Sequence, residues 1–386
     1  MPPSRILDSH IHLWPSTATQ PTNHGWMAPG HHLAKRHGIS DYRSVANVKR
    51  SSSKEEVEEE NPIPVSFIYV ETDRYLPSST PEIEEERDSD EEKRRKLSKW
   101  ASEPLSEVKF LRRIVEGKPE EGDGFAPSDA AWMKGAVLWA PFHLSPSLFS
   151  TYLQIAEEVA GPALWARVVG FRYLLQGKAE GEVKRLVESE DWLQNIVSLR
   201  DGRGGKGWAF DVGVDTHRDG VEQLEHVGGM IAEVRRREAN SGGQGHVRFV
   251  LNHLCKHRLP LATPSDPTFV RWRSALTGLA ADTSIYMKLS GALNEFDDAS
   301  PTPDTVQSVI EAVQPFFDAV FANFPGRVMF GSDWPVCNVG GPHGEQGNWK
   351  FWVSVVEAWM EERGFEEGSM ERVWWRAGSE AYGVEG

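Results

Sequence analysis

Short runs rich in apolar, β-branched and aromatic residues recur along the chain, and longer stretches with apolar residues at intervals of three and four separate them. The short runs predict β-strands, and the longer stretches predict amphipathic helices. The predicted strands are 5–14, 64–72, 135–140, 168–175, 207–215, 247–254, 285–291 and 327–335. Helices are predicted at 147–161, 220–239, 266–280 and 305–324, the third of them from its Asp-Pro start signal.

The alternation of strands with helices predicts a parallel sheet. Eight strands favour a closed (β/α)8 TIM barrel, an α/β fold, over an open doubly wound sheet. No glycine-rich phosphate loop follows the first strand, which argues against a nucleotide-binding fold. We therefore expect residues 1–386 to form one TIM-barrel domain.

Two stretches near the second strand interrupt this rhythm. Residues 49–62 and 77–96 are polar, highly charged and poor in apolar residues. Because such segments bury little apolar surface, we expect them to be charged, flexible insertions at the protein surface, with some helical character from charge pairs.

The bulk composition narrows the class of protein further. Hydrophobic residues make up 39% of the chain and fifteen residues are Trp, which is enough for a large packed core. A net charge of −15 argues against nucleic acid or an anionic membrane as a partner. Two Cys and no long apolar segment predict a soluble cytoplasmic protein, and leave open whether it forms a homo-oligomer.

The first predicted strand, in the segment RILDSHIHLWP, carries two histidines two residues apart. Side chains at positions i and i+2 of a strand project from the same face. The alternation therefore places Asp8, His10 and His12 on one face. Two imidazoles that converge on one point suit a divalent metal ion, although this short pattern also occurs without one.

Polar side chains follow most of the other predicted strands. In a TIM barrel the reacting groups lie at the carboxyl ends of the strands. The residues at these ends are His10, His12, Glu71, Asp73, Arg172, Asp215, His217, Asn252, His253, Lys288, Ser290 and Asp333. Their recurrence at the same end of nearly every strand predicts an active site there.

Four segments carry a resemblance to a known family: DSHIHLW, FVLNHLCKHRL, MKLSG and RVMFGSDWPVC. In this order they resemble the signature segments of the amidohydrolase-related (amidohydrolase 2) family of metal-dependent-hydrolase TIM barrels. Within that family they are most similar to the branch of sugar-lactone and dicarboxylate-lactone hydrolases. The match runs from residue 5 to about 340, and the charged insertions lie outside it.

The resemblance implies that four residues surround the reacting centre and bind one divalent metal ion, with Zn²⁺ favoured. These residues are His10, His12, His253 and Asp333. Asp333 is the expected general base for the attacking water, and His253 is expected to ligate, to orient that water or to polarise the substrate carbonyl. Some lactonases of this kind work without a metal, so the resemblance also allows metal-independent catalysis.

The chain departs from the family pattern at several strands. Asn252 precedes His253 where the pattern usually has Asp, and Arg172 stands where binuclear members have a metal-bridging lysine. The strand 5 histidine of many relatives is missing, and His217 follows slightly later as its nearest substitute. These departures imply at most one metal ion.

A second set of residues is expected to bind the substrate. Arg172 has a forked guanidinium that suits a carboxylate or the oxygens of a polyol. Flat aromatic faces suit a sugar ring, and charged side chains hydrogen-bond its hydroxyl groups. The remaining members of this set are Trp14, Trp334, Glu71 and Lys256.

The reaction implied by the resemblance is hydrolysis of an aldono-1,4-lactone to its aldonic acid, with L-rhamnonolactone or L-fuconolactone as the favoured substrate. No Gly-x-Ser-x-Gly motif supports a serine nucleophile. Two enzymatic alternatives remain: hydrolysis of a pyrone-type dicarboxylate lactone, which would require several arginines, and non-oxidative decarboxylation of an aromatic or dicarboxylic acid. A non-catalytic binding barrel is disfavoured by the retained His and Asp set.

Overall fold

A computed structural model describes residues 3–47, 63–242 and 245–385. Eight strands form one sheet in the order of the sequence, and every neighbouring pair is parallel. They are β1 (Ile6–Ile11), β2 (Val65–Val70), β3 (Met133–Trp139), β4 (Val168–Arg172), β5 (Ala209–Val212), β6 (Arg248–Leu251), β7 (Ile285–Leu289) and β8 (Val328–Phe330). The prediction of a (β/α)8 TIM barrel is confirmed.

The barrel closes between its last and first strands at their carboxyl ends. A parallel bridge joins Ile11 to Trp334. The His12 amide donates to the Trp334 carbonyl at 2.8 Å, and the Asp333 amide donates to the His10 carbonyl at 2.9 Å. The closure therefore brings the two histidines of the first strand beside Asp333.

Helices follow the strands and pack around the barrel. They are α1 (Ile39–Val45), α2 (Asp90–Trp100), α3 (Ser102–Glu116), α4 (Pro146–Trp165), α5 (Glu182–Val187), α6 (Glu190–Ser198), α7 (Glu222–Asn240), α8 (Pro267–Ala280), α9 (Val306–Asn323), α10 (Cys337–Gly340), α11 (Gly344–Glu362), α12 (Glu367–Glu371) and α13 (Ala377–Tyr382). All four predicted helices are present, and the Asp266 side chain caps α8 by accepting from the amides of Thr268 and Phe269. None of the helices within the described ranges combines the length and apolar character needed to cross a membrane.

The inside of the barrel holds a small apolar cluster of its own. Leu7, Val137, Val250 and Met329 come from different strands and are buried together with residues of the last helix, α13. The larger core lies between the strands and the surrounding helices. Because branched and apolar side chains fill the interior, the barrel is a packed scaffold whose polar residues stand out as exceptions.

One of the two expected insertions can be compared with the structure. Residues 77–88 are irregular, but α2 begins at Asp90, with Ser89 capping it and Glu92 completing a capping box. Residues 90–96 of the 77–96 stretch are therefore helix, because Leu97 and Trp100 give this charged helix a buried side. The 49–62 stretch lies outside the described residues. The prediction that residues 1–386 form a single domain stays a prediction.

The expected alternation along β1 is wrong at Asp8. The pairing register of β1 with β2 shifts between Asp8 and Ile11. The Asp8 carboxylate consequently points away from the two histidines and accepts hydrogen bonds from Tyr42 Oη at 2.8 Å, Trp349 Nε1 at 3.0 Å and the Ser332 amide at 2.8 Å. Asp8 ties β1 to the segment that carries Asp333 rather than joining the His10–His12 face.

Candidate active site

His10, His12 and Asp333 meet at the carboxyl end of the barrel. The Nε2 atoms of His10 and His12 lie 3.2 Å apart. Asp333 Oδ1 lies 3.6 Å from His10 Nε2 and 3.4 Å from His12 Nε2. All three side chains are almost wholly buried. The geometry brings two imidazoles and one carboxylate to a common point, as the sequence predicted.

A hydrogen bond to the backbone fixes the orientation of the His12 ring. Its Nδ1 lies 2.8 Å from the backbone carbonyl oxygen of Val70, at the end of β2. A carbonyl oxygen only accepts, so His12 Nδ1 carries a hydrogen; in the neutral imidazole the lone pair then lies on Nε2, which faces Asp333.

The electrostatics of Asp333 favour the ionised carboxylate. Burial alone would raise the pKa of Asp333. Neighbouring groups, the Lys256 cation among them, more than offset this and hold the pKa of Asp333 below its usual value. The residue is therefore a carboxylate at neutral pH, which is the form that a ligand or a general base requires.

His253 occupies the opposite side of Asp333. Its Nε2 lies 3.7 Å from Asp333 Oδ1, and its Nδ1 makes a 2.8 Å hydrogen bond with Ser290 Oγ. Burial lowers the pKa of His253 to about 3, so the ring is neutral. Gly291 lies directly against this ring, where a Cβ atom would come within 2.8 Å of Nδ1. Ser290 and Gly291, at the end of the MKLSG segment, therefore fix the position of the His253 ring: Ser290 bonds to it, and Gly291 leaves room for it.

The chain turns in a left-handed sense immediately after β6. His253, Leu254, Cys255 and Lys256 have φ angles of 55°, 54°, 58° and 50°. Left-handed backbone costs a residue with a side chain about 1–2 kcal/mol, so four in succession need external support. That support comes from Trp272 Nε1, which donates to the Leu254 carbonyl at 3.0 Å, and from Thr216, whose amide and hydroxyl donate to the next two carbonyls.

A buried ion pair lies behind His10. Lys288 Nζ donates to Asp211 Oδ2 at 2.6 Å and lies 3.1 Å from His10 Nδ1. Burial lowers the pKa of Lys288, while the adjacent Asp211 opposes that shift. Burial and the nearby Lys288 also lower the pKa of His10 well below its usual value, so His10 is neutral. The sequence placed Lys288 at a strand end but offered no reason to assign it a role.

The spacing of the donor atoms fits a four-coordinate metal ion. Zinc binds nitrogen and oxygen ligands at about 2.0–2.2 Å, which places neighbouring ligand atoms of a tetrahedron about 3.3 Å apart. The separations among His10 Nε2, His12 Nε2 and Asp333 Oδ1 are 3.2–3.6 Å. These three residues therefore form a candidate metal site. The orientation of His12 agrees with this site, whereas the ammonium facing His10 Nδ1 opposes it.

The candidate site opens into a cavity of about 250 Å³. His12, His253 and Asp333 form one side of it. Three of the expected substrate-binding residues, Trp14, Arg172 and Lys256, also line it. No ion pair or hydrogen bond of the Lys256 ammonium is found within the described ranges, so this cation faces the cavity free of a protein partner.

Arg172 and Glu71 are joined to each other. Arg172 Nε donates to the Glu71 carboxylate at 2.5 Å, and Arg172 Nη2 donates to the Glu71 backbone carbonyl at 2.6 Å. Glu71 is wholly buried, and Arg172 is 4% exposed and lines the cavity. Arg172 therefore reaches the cavity wall, but much of its hydrogen-bonding capacity is already used by Glu71.

Glu71, Trp334 and His217 are among the residues from the sequence predictions that lie apart from the cavity lining. Trp334 is buried against the rings of Tyr42 and His37, in the core beside β8. The ring of His217 is hydrogen-bonded to Glu295 at 3.0 Å. By contrast, Asp73 lines the cavity, although the sequence assigned it no role in substrate binding. Its position at the end of strand 2 was the available signal.

Comparisons with known proteins agree with this geometry. A model of the amidohydrolase family matches residues 224–357. An L-rhamnono-gamma-lactonase of Scheffersomyces stipitis is 27% identical over 390 residues, covering 98% of this chain and 99% of the relative. An L-fucono-1,5-lactonase of Burkholderia multivorans is 32% identical over 213 residues, covering 54% of this chain and 61% of the relative.

Solved structures share the fold. An amidohydrolase from Burkholderia multivorans with bound Zn has a TM-score of 0.60 and 22% identity, and a structure of an amidohydrolase from the same species with bound HEPES has a TM-score of 0.64 and 21% identity. Each comparison covers 99% of this chain and 100% of the other. The family match contains His253 and Asp333, and the barrel brings His10 and His12 to them. Over this matched segment the chain is similar to the amidohydrolase family.

Proposed function

We propose that the protein is a hydrolase that opens a sugar lactone to its aldonic acid. The observation that carries this proposal is the Asp333 carboxylate, which lies within 3.4–3.7 Å of three imidazole Nε2 atoms beside a cavity of about 250 Å³. The lactonase names of the curated relatives support the lactone as substrate.

Asp333 is the proposed general base. It takes a proton from a water molecule whose oxygen forms the new bond to the lactone carbonyl carbon. When the tetrahedral intermediate collapses, the bond from that carbon to the ring oxygen breaks. The ring oxygen then takes the proton from Asp333, which returns the carboxylate and leaves a hydroxy acid.

His253 and Lys256 are the proposed groups on the carbonyl side. Both line the cavity next to Asp333, and the Lys256 ammonium has no protein partner in the described part of the chain. A cation directed at the oxygen where negative charge develops stabilises the transition state more than the ground state. A divalent ion held by His10, His12 and Asp333, with His253 beside them, would supply the same stabilisation and a more acidic water.

The wall of the cavity suits a sugar ring. Trp14 and Trp26 line it together with Leu33, so one side of the cavity is aromatic and apolar. Arg172 and Asp73 lie among the polar residues of the lining and are placed to meet hydroxyl groups. We propose a deoxy aldono-1,4-lactone, L-rhamnono- or L-fucono-lactone, as the specific substrate, because the relative aligned over nearly its whole length is a gamma-lactonase.

The number of arginines bears on the dicarboxylate alternative. Among the described residues that line the cavity, Arg172 is the one arginine, and it is already bonded to Glu71. A substrate with two carboxylates would call for more cationic partners than Arg172 and Lys256 supply. The lining therefore favours a neutral, polyhydroxylated lactone.

A cytoplasmic location, the absence of a nucleic-acid partner and the oligomeric state stay predictions.

The experiment is a lactone panel read by proton release. Purified full-length protein, with and without added Zn²⁺, would be mixed with 1,4- and 1,5-lactones of rhamnonic, fuconic and non-deoxy hexonic acids in the presence of a pH indicator. We expect hydrolysis of at least one deoxy lactone far above its spontaneous rate, with the activity lost in Asp333→Asn. A flat response across the whole panel would overturn the proposal, and carbon dioxide release from an acid panel would then support decarboxylation.

A further inference from the structure

A charged cluster lies inside the barrel, beneath the candidate metal site. Lys288 of β7, Asp211 of β5 and Tyr382 of α13 are wholly buried. Lys288 Nζ donates to Asp211 Oδ2 at 2.6 Å, and Tyr382 Oη donates to both oxygens of the same carboxylate at 2.8 and 2.9 Å. Two donors on one buried carboxylate describe an ionised Asp211 that faces an ammonium.

The second hydrogen bond of the lysine is with His10. Lys288 Nζ lies 3.1 Å from His10 Nδ1. An ammonium has hydrogens and no lone pair, so His10 Nδ1 must be the acceptor. A neutral imidazole carries one hydrogen, which then lies on Nε2.

The neighbouring histidine agrees with this assignment. His12 Nδ1 donates to the Val70 carbonyl at 2.8 Å, so His12 Nε2 is an acceptor. It lies 3.2 Å from His10 Nε2, which has the hydrogen to donate. Hydrogen bonds therefore run in one direction, from Lys288 through His10 and His12 to Val70, and each donor meets an acceptor.

This arrangement conflicts with metal binding at one atom. A metal ligand must offer a lone pair, and His12 Nε2 and Asp333 Oδ1 do so. To ligate through Nε2, His10 would have to move its hydrogen to Nδ1, where it would point at the Lys288 ammonium. The spacing of the site thus suits a metal, while the lysine behind His10 favours the tautomer that cannot bind one.

We propose that the Asp211–Lys288 ion pair holds His10 in its Nε2–H tautomer and thereby weakens divalent-metal binding at the His10, His12 and Asp333 site. Lys288 is a positioning residue, since it acts through His10. The proposal does not rest on lactone hydrolysis, because its readouts are metal affinity and the position of a hydrogen.

The zinc affinity of a variant that lacks the charges of Lys288 and Asp211 tests the proposal. Lys288→Met together with Asp211→Asn removes both buried charges, so neither is left without its partner. Competition between the full-length protein and a zinc-binding dye should show that this variant binds Zn²⁺ about 10–100-fold more tightly than the wild type, the range typical of groups behind metal ligands. Tyr382→Phe, which keeps the ion pair and the donor at His10, should leave the zinc affinity unchanged.

The hydrogen position can be measured in the wild-type protein itself. With ¹⁵N-labelled histidine, protonated and unprotonated ring nitrogens give separate NMR signals, and loss of one set in His10→Gln assigns it to His10. We expect a protonated Nε2 and an unprotonated Nδ1 in the metal-free protein. Equal or weaker zinc affinity in the double variant, or a protonated Nδ1 in the wild type, would overturn the proposal whether or not the protein hydrolyses lactones.

Discussion

Replacing Arg172 by methionine tests whether this residue acts first as the partner of Glu71. In the folded protein the Glu71 carboxylate is wholly buried and receives the Arg172 Nε hydrogen bond. Removing one member of a buried ion pair leaves the other charge without compensation, which costs about 3–5 kcal/mol. Arg172→Met should lower the free energy of unfolding by that amount.

The assay is urea denaturation followed by Trp fluorescence, run on a double-mutant cycle. Glu71→Gln with Arg172→Met removes both charges, so the double variant should recover more than half of the stability that Arg172→Met loses. The matched single variant Glu71→Gln shows how much of the loss comes from the carboxylate side.

One result would refute this reasoning. If Arg172→Met unfolds at the same urea concentration as the wild type and only the KM for substrate rises, the guanidinium is a substrate ligand with no structural duty. A combined loss of stability and substrate affinity would assign both roles to Arg172, since it lines the cavity while it holds Glu71.

Three further predictions concern the general base Asp333, the dependence of the reaction rate on pH, and Glu107, which accepts hydrogen bonds from β2 and the residues after it. Asp333→Asn should lower kcat about 10²–10⁴-fold, the usual contribution of general base catalysis, while circular dichroism shows an unchanged fold. Because the pKa of Asp333 lies below its usual value of 3.8, the base stays ionised as the pH falls toward that value. A pH–rate profile of kcat/KM should therefore have no acid limb from Asp333 between about pH 5 and 8. Glu107→Ala should destabilise the protein by at least about 3 kcal/mol in urea denaturation, since Tyr69 Oη at 2.7 Å and the Thr72 amide at 3.0 Å lose a charged acceptor.

The strand-end residues were predictable because the barrel rule is simple. Once eight parallel strands are recognised, residues at their carboxyl ends must gather at one rim, and His10, His12, His253 and Asp333 do so. The alternation along β1 failed at Asp8 because a register shift has no marker in the sequence. Period-two patterns describe regular strands and carry no information about irregular pairing.

Contacts between residues that lie far apart along the chain could not be predicted from the sequence. Arg172 and Glu71 are 101 positions apart, and the sequence offered each only as a separate substrate-binding candidate. The left-handed turn from His253 to Lys256 contains no glycine, and glycine is the residue from which a positive φ angle is normally predicted. The hydrogen bonds that hold this turn come from Thr216 and Trp272, which belong to other segments of the chain.

Because Tyr382 contacts Asp211 inside the barrel, folding of this protein during its synthesis cannot be completed until the carboxyl-terminal residues are made. All eight strands precede α13, so a nascent chain can carry every strand out of the ribosome while Asp211 still lacks one of its two donors. Chains fold as they emerge, amino-terminal part first, yet the polar centre of this barrel is complete only after translation reaches residue 382. A transcript that ends shortly before this codon would therefore yield a barrel with a defect at its middle, far from the missing residues in sequence.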